Sequence, residues 1–156
     1  MTRLLLDTIV VSEATKLRPD PAAAAWLASQ RLDECFVSAL TLGEIQFGVS
    51  RLAAPVRRSE LTRWLQAELL PAFRDRILPF DRDVALVWGE LAALATAQGK
   101  TLPIIDSQIA ATAKAHGLAL ATRNIRDFRD LAIELIDPWA NHEDEGPFGL
   151  RNVQPG

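Results

Sequence analysis

Leu4-Leu5-Leu6-Asp7 is a short apolar run that ends in an acid. A continuous apolar run suits a strand that is buried on both faces, as in a parallel sheet. Ligands of open α/β sheets bind in the crevice beyond the carboxyl ends of the strands, which is where Asp7 would lie. An acid at this position equally suits a cap on the helix that follows. The stretch therefore predicts a buried parallel strand with a carboxylate at its end, in a functional or a capping role.

Short apolar stretches alternate with helical patterns through the rest of the chain. Helix starts are marked by Asp20-Pro21 and Pro103, and a helix end is marked by Gly117. The segments 4–6, 35–37, 118–121 and 133–136 are predicted as strands, and 76–80 as a short strand or an extended link. Helices are predicted over 21–30, 41–52, 59–70 and 103–116, and a long helix that ends near Gly99 is predicted to start at Asp81 or Asp83. Strands that alternate with helices predict an α/β fold with a mostly parallel central sheet.

The chain has 156 residues, a formal net charge of −3 and a single cysteine, Cys35. This length predicts one domain, which we place at 1–140, and the tail 141–156 is predicted to be irregular because it lacks periodicity. A lone thiol excludes a secreted scaffold built on disulfides. No apolar run approaches the ~20 residues that cross a membrane, so we expect a cytoplasmic protein without a membrane partner.

Two acids in predicted helix starts have both a structural and a functional interpretation. Glu44 follows Thr41 by three positions, which is the spacing of a capping box, and capping is the favoured interpretation from the sequence alone. One carboxylate oxygen would still be able to face a metal ion. Asp106 lies in the first turn of the predicted helix 103–116, on a face shared with Ala110 and Ala113. A carboxylate beside small apolar residues needs a cation or a proton, which favours a functional role for Asp106.

The segment 122–130 follows the predicted strand 118–121 and mixes Asn124 and Asp127 with three arginines. By itself this composition is typical of a solvated loop with surface ion pairs, each worth about 0–1 kcal/mol. The arginines either form such pairs with the two aspartates of the segment or contact the backbone of an RNA. They are Arg123, Arg126 and Arg129.

Asp7, Asp106 and the segment 124–127 fall at predicted strand ends or helix starts, which gather at one edge of a parallel sheet. Converging carboxylates raise each other's pKa unless a cation lies between them. Oxygen ligands without His or Cys select Mg²⁺ or Mn²⁺ over Zn²⁺. His116 is predicted at a helix end, where a pairing with the helix dipole is expected rather than metal binding. The combination therefore predicts a site for Mg²⁺ or Mn²⁺.

Four segments, in this order, resemble the motifs of the PIN-domain family, and specifically of VapC-type or FitB-like toxins. They are LLLDTIVVSE (4–13), SALTLGEI (38–45), LPIIDSQIAATA (102–113) and ATRNIRDF (121–128), and DPW (137–139) resembles the usual ending of the family. The similarity covers about residues 3–139. Five such stretches in order, at plausible spacing, are a far more specific signal than any one of them.

The resemblance implies a three-layer sandwich whose mostly parallel sheet is flanked by helices. It also implies an endoribonuclease that depends on Mg²⁺ or Mn²⁺ and acts as the toxin of a type II toxin–antitoxin pair. The implied partners are an RNA substrate, a cognate antitoxin that masks the acidic pocket, and a second copy in a homodimer. Carried over to this chain, Asp7 and Asp106 match metal ligands, and Glu44 matches the second acid. The fourth acid of the family stands at the position of Asn124 in some relatives and nearer Asp127 in others. Asp127 is the charged candidate for it in this chain, and the polar residues of the pocket are Thr8, Asn124, Arg123 and Arg126.

Ile9 departs from the family pattern, which usually has Asn two residues after the first acid. An apolar side chain cannot hydrogen-bond an acidic cluster, which keeps a second hypothesis open. This is a catalytically weakened PIN fold that acts through antitoxin and dimer contacts. A third hypothesis, a phosphatase with Asp7 as nucleophile, normally needs a second Asp where Ile9 stands. The apolar residues Val84, Val87 and Trp88 of the long helix belong either to the core or to a dimer face.

Overall fold

The computed structural model describes residues 2–140 and contains five short strands in this part of the chain. They are β1 (Leu4–Leu6), β2 (Cys35–Ser38), β3 (Ile77–Leu78), β4 (Ala119–Ala121) and β5 (Leu135–Ile136). They form one sheet in the order β3-β2-β1-β4-β5, and each of its four pairings is parallel. β1 is the central strand, with Leu5 opposite Phe36 on one side and Leu120 on the other. The predicted parallel sheet is confirmed.

Helices connect the strands and cover both faces of the sheet. They are α1 (Thr8–Glu13), α2 (Pro21–Ser29), α3 (Ala39–Arg51), α4 (Pro55–Trp64), α5 (Leu70–Phe73), α6 (Arg82–Ala97), α7 (Ile104–Ala115) and α8 (Ile125–Phe128). A π-helical segment, Leu65–Leu69, joins α4 to α5. Short 3₁₀ turns, Leu32–Glu34 and Arg74–Arg76, lead into β2 and β3.

The alternation of side chains along β1 separates two hydrophobic clusters. Leu4 and Leu6 pack with buried residues of α1, α3 and α5, whereas Leu5 packs with buried residues of α6, α7 and α8. Successive side chains of a strand point to opposite faces, so β1 contributes to both clusters. The sheet is therefore the middle layer of three, and the predicted α/β sandwich is confirmed.

The long helix α6 uses its apolar face for this core. Val84 is buried, and Val87 and Trp88 pack against the same cluster. The indole N–H of Trp88 donates a hydrogen bond to the hydroxyl of Ser107 on α7, at 2.9 Å. Of the two roles considered for these three residues, the core role is the one observed. Leu86, on the opposite side of the helix, is 67% exposed.

Residues 59–70 do not form the single regular helix that their leucine spacing predicts. α4 begins earlier, at Pro55, and the α-helical hydrogen bonding gives way to the π-helical segment before α5. Pro71 explains the change, because a proline has no N–H to donate and its ring clashes with the carbonyl four residues earlier. Leu65 and Leu69 are buried as expected, since they line the core cluster that contains β1.

Several boundary predictions are confirmed by the capping contacts. Asp20 accepts a hydrogen bond from Ala23 N at the start of α2, and Asp81 accepts one from Val84 N at the start of α6. Gly117 follows α7 with a φ of +64°, the left-handed conformation that favours glycine. No helix in residues 2–140 is long and apolar enough to cross a membrane. The tail predicted as irregular, 141–156, lies outside the described residues.

Candidate active site

Asp7 lies at the carboxyl end of the central strand and is only 7% exposed. Its Oδ1 accepts a hydrogen bond from the backbone N–H of Thr8 at 2.7 Å, so Asp7 caps α1 with one oxygen. Its Oδ2 accepts a hydrogen bond from the hydroxyl of Thr122 at 2.8 Å. The capping role therefore occupies one lone pair and leaves others for a ligand. A carboxylate held at this place in a parallel sheet lies where the strand order brings loops from both sides together.

Glu44 does not take part in the capping box that the sequence predicts, and that prediction is wrong. α3 begins two residues earlier than expected, with Ser38 as its N-cap and Leu40 N as the donor to Ser38 Oγ at 3.0 Å. Thr41 is therefore inside the helix. The Oε1 atom of Glu44 instead accepts a 2.6 Å hydrogen bond from the hydroxyl of Thr8. This bond turns the carboxylate of Glu44 toward the start of α1, next to Asp7.

Asn124 and Asp127 are joined to the same place through Thr122. The side-chain amide of Asn124 donates to Oδ2 of Asp127 at 2.9 Å, and the backbone N–H of Asn124 donates to Oγ1 of Thr122 at 3.0 Å. Thr122 directly follows β4, the strand that pairs with β1. The segment 122–127 therefore links Asp127 to Asp7 by hydrogen bonds through Asn124 and Thr122.

Asp106 lies in the first turn of α7 and is half-buried. Its pKa is raised above the ordinary aspartate value, chiefly by burial, and further by the negative charges of Asp7 and Asp127. Burial also raises the pKa of Asp7, and the charge of Glu44 adds to this effect against the opposing hydrogen bonds from Thr122 and Thr8. Asp7 thus lies within electrostatic reach of Glu44 and Asp106, and Asp106 lies within reach of Asp127, although the four acids come from distant segments of the chain.

The oxygen donors of this site suit a hard divalent cation. Burying carboxylates beside each other costs free energy that a cation between them would recover. Residues 2–140 contain no ready-made cage of three or more acidic, histidine or cysteine ligands. Mg²⁺ does not require one, because it keeps several waters and takes one or two carboxylates from the protein. His116 lies at the opposite end of α7 from Asp106, about 15 Å away at the rise of an α-helix. Its imidazole is therefore too far from Asp106 to bind the same cation.

The three arginines of the segment 122–130 are exposed and do not form the predicted ion pairs. None of them lies within ion-pairing distance of an aspartate of that segment in the described structure. Arg123 stacks instead over the ring of Trp139, with 5.2 Å between its guanidinium carbon and the ring centroid. Exposed guanidinium groups beside the acids remain available to contact an anionic ligand.

Ile9 follows Asp7 and Thr8 on α1, and its side chain is 39% exposed. It can offer no polar contact to the acids. The hydroxyl of Thr8 supplies polar contacts from the neighbouring position, since it bonds Glu44 and also lies 3.0 Å from the hydroxyl of Thr41. The first turn of α1 therefore carries a polar link to the second acidic segment despite the apolar residue at position 9.

Thr122 and Thr41 belong to the site although the sequence predicted no site role for either; Thr41 was expected only as the partner of Glu44 in a capping box. Both are fully buried, and both have hydroxyls bonded to the site, Thr122 to Asp7 and Thr41 to Thr8. The position of Thr122 directly after a predicted strand indicates a buried hydroxyl, and a buried hydroxyl needs a hydrogen-bond partner. The identity of that partner depends on which strands are neighbours, which the local pattern does not reveal.

Comparison with known proteins identifies the family. The PIN domain profile matches residues 4–134. The chain is 40% identical to the VapC ribonuclease Y4jK of Sinorhizobium fredii over 136 residues, which covers 87% of this chain and 97% of that protein. It is 38% identical to the toxin FitB of Neisseria gonorrhoeae over 136 residues, or 87% of this chain and 98% of FitB.

Solved structures agree with this match. The crystal structure of FitAcB from Neisseria gonorrhoeae superposes with a TM-score of 0.84 at 38% identity, covering 87% of this chain and 98% of that one. The structure of FitAB bound to an IR36 DNA fragment gives a TM-score of 0.86 at 34% identity, covering 91% and 99% of the two chains. The profile match over most of the chain and these relatives lead to one conclusion: the chain belongs to the PIN-domain family.

Proposed function

We propose that this chain is a metal-dependent endoribonuclease and the toxin component of a type II toxin–antitoxin pair. The relatives named above include a ribonuclease and a toxin, each matched over nearly its whole length. PIN-domain nucleases act on phosphodiester bonds, and those of the VapC type generally depend on a metal ion. The proposal therefore assigns hydrolysis of RNA to the acidic edge of the sheet.

The observation that carries the proposal is the environment of Asp7. Its carboxyl is buried, fixed by two hydrogen bonds, and raised in pKa by burial and by the charge of Glu44. Asp106 is raised in pKa by burial and by the charge of Asp7 among others. A fold that keeps such destabilising groups at one sheet edge is typical of a functional site rather than of a structural one.

Mg²⁺ or Mn²⁺ is the cation that we propose for this site, with Asp7 and Asp106 as its protein ligands. All four acids offer oxygen donors, which these ions prefer. When bound, the ion would lower the pKa of a coordinated water and neutralise charge that develops at the phosphodiester. Zn²⁺ is not favoured, because Cys35 lies beside Leu4 at the opposite end of the strands from Asp7, and His116 lies at the opposite end of α7 from Asp106.

The remaining residues have distinct roles in this proposal. Glu44 and Asp127 border the site, where they orient water or accept its proton while RNA is cleaved. The hydroxyl of Thr8 holds Glu44 in place through the bond described above. The exposed guanidinium groups of Arg123 and Arg126 contact phosphates of the RNA on either side of the scissile bond. Asn124 holds Asp127 in place through its side-chain amide.

An antitoxin and a second copy of the chain are the proposed protein partners. The related solved chains come from FitAB complexes, one of them bound to a DNA fragment. An antitoxin that offers arginine to the acidic pocket would neutralise it by bidentate pairing, which blocks the cation and the RNA together. Exposed apolar side chains such as Phe47 and Leu86 are available for contacts with another chain. A cytoplasmic location remains a prediction that fits an RNA substrate.

A weakened, binding-only PIN domain is the second candidate, and Ile9 is the observation that favours it. Its exposed aliphatic side chain occupies the position where the family usually has an amide. A site that has lost its cation would still bind an antitoxin, but it would not cleave RNA. Ile9→Asn separates the two candidates, because a weakened nuclease should gain activity, whereas an already efficient nuclease should change little.

RNA cleavage tests the main proposal directly. The purified chain is incubated with mixed-sequence single-stranded RNA, in Mg²⁺ and in excess EDTA, alongside Asp7→Asn. Asp83→Asn is the matched control, because Asp83 is an exposed acid at the start of α6. We expect cleavage by the wild type and the control in Mg²⁺ and none in EDTA or with Asp7→Asn. Cleavage that persists in EDTA, or in Asp7→Asn, would refute the mechanism.

A further inference from the structure

We propose that Thr122 is a positioning residue of the acidic site, whose hydroxyl fixes the orientation of Asp7 and thereby sets the affinity of the site for its divalent cation. This inference rests on the function proposed above and adds to it a residue outside the four acids. Thr122 is 0% exposed, so its hydroxyl cannot exchange its partners for water. Its contacts in the fold therefore determine what the hydroxyl does.

The direction of the Thr122 hydroxyl is fixed by two neighbours. Its Oγ1 accepts the backbone N–H of Asn124 at 3.0 Å and lies 2.8 Å from Oδ2 of Asp7. A threonine hydroxyl has one proton, and an ionised carboxylate can only accept. Because the N–H of Asn124 occupies a lone pair of Oγ1, the proton is directed to Asp7. The backbone of the segment after β4 thus orients a side chain at the end of β1.

This contact completes the fixation of the Asp7 carboxylate. Thr8 N–H binds one oxygen at 2.7 Å and Thr122 binds the other, so rotation of the carboxylate would break a hydrogen bond at each end. The remaining lone pairs then face the site in one orientation. Partners that orient a metal ligand typically contribute tenfold to hundredfold to metal affinity when they are removed by mutation.

Asn124 extends the same network to a second acid. Its side-chain amide holds Oδ2 of Asp127 at 2.9 Å, while its backbone N–H holds Thr122. Asp7 and Asp127 are therefore joined by a continuous series of three hydrogen bonds through Thr122 and Asn124. The hydrogen bonds of the segment 122–127 therefore hold Asp7, which follows β1, and Asp127 of α8 in fixed positions relative to each other.

Mn²⁺ binding provides the test, because it is measured without substrate or turnover. The dissociation constant of Mn²⁺ is obtained by electron paramagnetic resonance of the free ion for the wild type, Thr122→Val, Thr122→Ser and Thr112→Val. Valine keeps the shape of threonine without its hydroxyl, and serine keeps the hydroxyl. Thr112 is the matched control, since it is also 0% exposed and its hydroxyl donates to Gln108 O within α7 rather than to an acid.

We expect Thr122→Val to weaken Mn²⁺ binding by about tenfold to a hundredfold. Thr122→Ser should bind Mn²⁺ nearly as tightly as the wild type. Thr112→Val should also keep the wild-type affinity, even if it lowers the melting temperature as much as Thr122→Val does. Circular dichroism checks the fold of each variant. If Thr122→Val does not fold, Thr122→Ala replaces it, because it also lacks the hydroxyl and relieves any crowding by the added methyl group.

Three different results would contradict the account, and they are distinguishable. If folded Thr122→Val or Thr122→Ala binds Mn²⁺ as tightly as the wild type, while Asp7→Asn and Asp106→Asn lose the ion, only the role of Thr122 is refuted. If the wild type does not bind Mn²⁺, or Asp7→Asn binds it equally well, the proposed metal site itself fails. A loss of affinity in Thr112→Val equal to that in Thr122→Val would show a general effect of instability.

Discussion

The hydroxyl of Thr8 donates a 2.6 Å hydrogen bond to Oε1 of Glu44, 36 positions later in the chain. The bond joins the start of α1 to the second turn of α3, at the point where β1 and β2 end side by side. It holds a second carboxylate close enough to Asp7 to contribute to the raised pKa of that group. One polar contact thus relates two acids that the sequence separates widely.

Asp7→Asn should stabilise the metal-free protein at neutral pH. The pKa of Asp7 is raised in the fold, so ionisation favours the unfolded state, and stability falls as pH rises from the unfolded pKa through the folded one. Each unit of such a difference corresponds to about 1.4 kcal/mol. Urea unfolding in EDTA should therefore show a gain for Asp7→Asn at pH 7.5 that shrinks at pH 4. A variant that is less stable than the wild type at both pH values would contradict the assignment.

Addition of Mg²⁺ should raise the melting temperature of the wild type. A ligand present at a hundred times its dissociation constant stabilises the folded state by about 2.7 kcal/mol when it binds only that state. Asp7→Asn and Asp106→Asn should lose most of this gain, because each removes a proposed ligand. Asp83→Asn, at an exposed position on α6, should retain it. Equal shifts in all four proteins would indicate nonspecific binding of the ion.

Glu44→Gln should separate the structural role of Glu44 from its charge. Glutamine still accepts the hydrogen bond from Thr8, so we expect the free energy of unfolding to change by only about 0.5 kcal/mol. The rate of RNA cleavage should fall by about tenfold or more, because a charge next to the metal ligands is removed. Glu60→Gln on the exposed surface of α4 is the control for charge alone. An unchanged cleavage rate in Glu44→Gln would show that the charge of Glu44 does not contribute to catalysis.

Arg126→Gln should weaken binding of single-stranded RNA and reduce its dependence on salt. Each phosphate contact contributes a slope of about 0.7 in a plot of log K against log salt concentration for single strands. Fluorescence titrations of RNA binding are made in the inactive Asp7→Asn variant, so that the RNA is not cleaved. In this background, loss of the contact in Arg126→Gln should lower the slope by about 0.7. Arg63→Gln, an exposed arginine on α4, should leave the slope unchanged. A similar decrease for both variants would argue against a specific role for Arg126.

The sequence was sufficient for the layered fold because its signals are local. The apolar run that ends at Asp7, the aspartate cap at Asp20 and Gly117 after α7 each specify one boundary, and the structure has all three. Of the two aspartates predicted as possible starts of α6, Asp81 is the observed cap. The segment 59–70 does not form the predicted regular helix, because Pro71 changes the hydrogen bonding of the preceding turn. The spacing of the leucines carries no information about that change.

The contacts inside the site were not predictable in the same way, because they join distant segments. The spacing of Thr41 and Glu44 fits a capping box, but Ser38 already caps α3, and Glu44 bonds Thr8 across the sheet edge. Thr122 directly follows a predicted strand, but the partner of its hydroxyl depends on the pairing of β4 with β1, which the local sequence does not specify. Residue types therefore indicated the chemistry, whereas the topology determined which side chains support it.

Convergence of the acids on one cation is tested most directly by a crystal soaked in Mn²⁺ and measured at a wavelength where manganese scatters anomalously. The account predicts an anomalous peak at the end of β1, with carboxylate oxygens of Asp7 and Asp106 at about 2.0–2.3 Å. Water should complete the coordination, and the peak should be absent in Asp106→Asn. A crystal in which this edge of the sheet shows no peak at saturating Mn²⁺, or in which the ion binds only elsewhere, would contradict the proposed metal site.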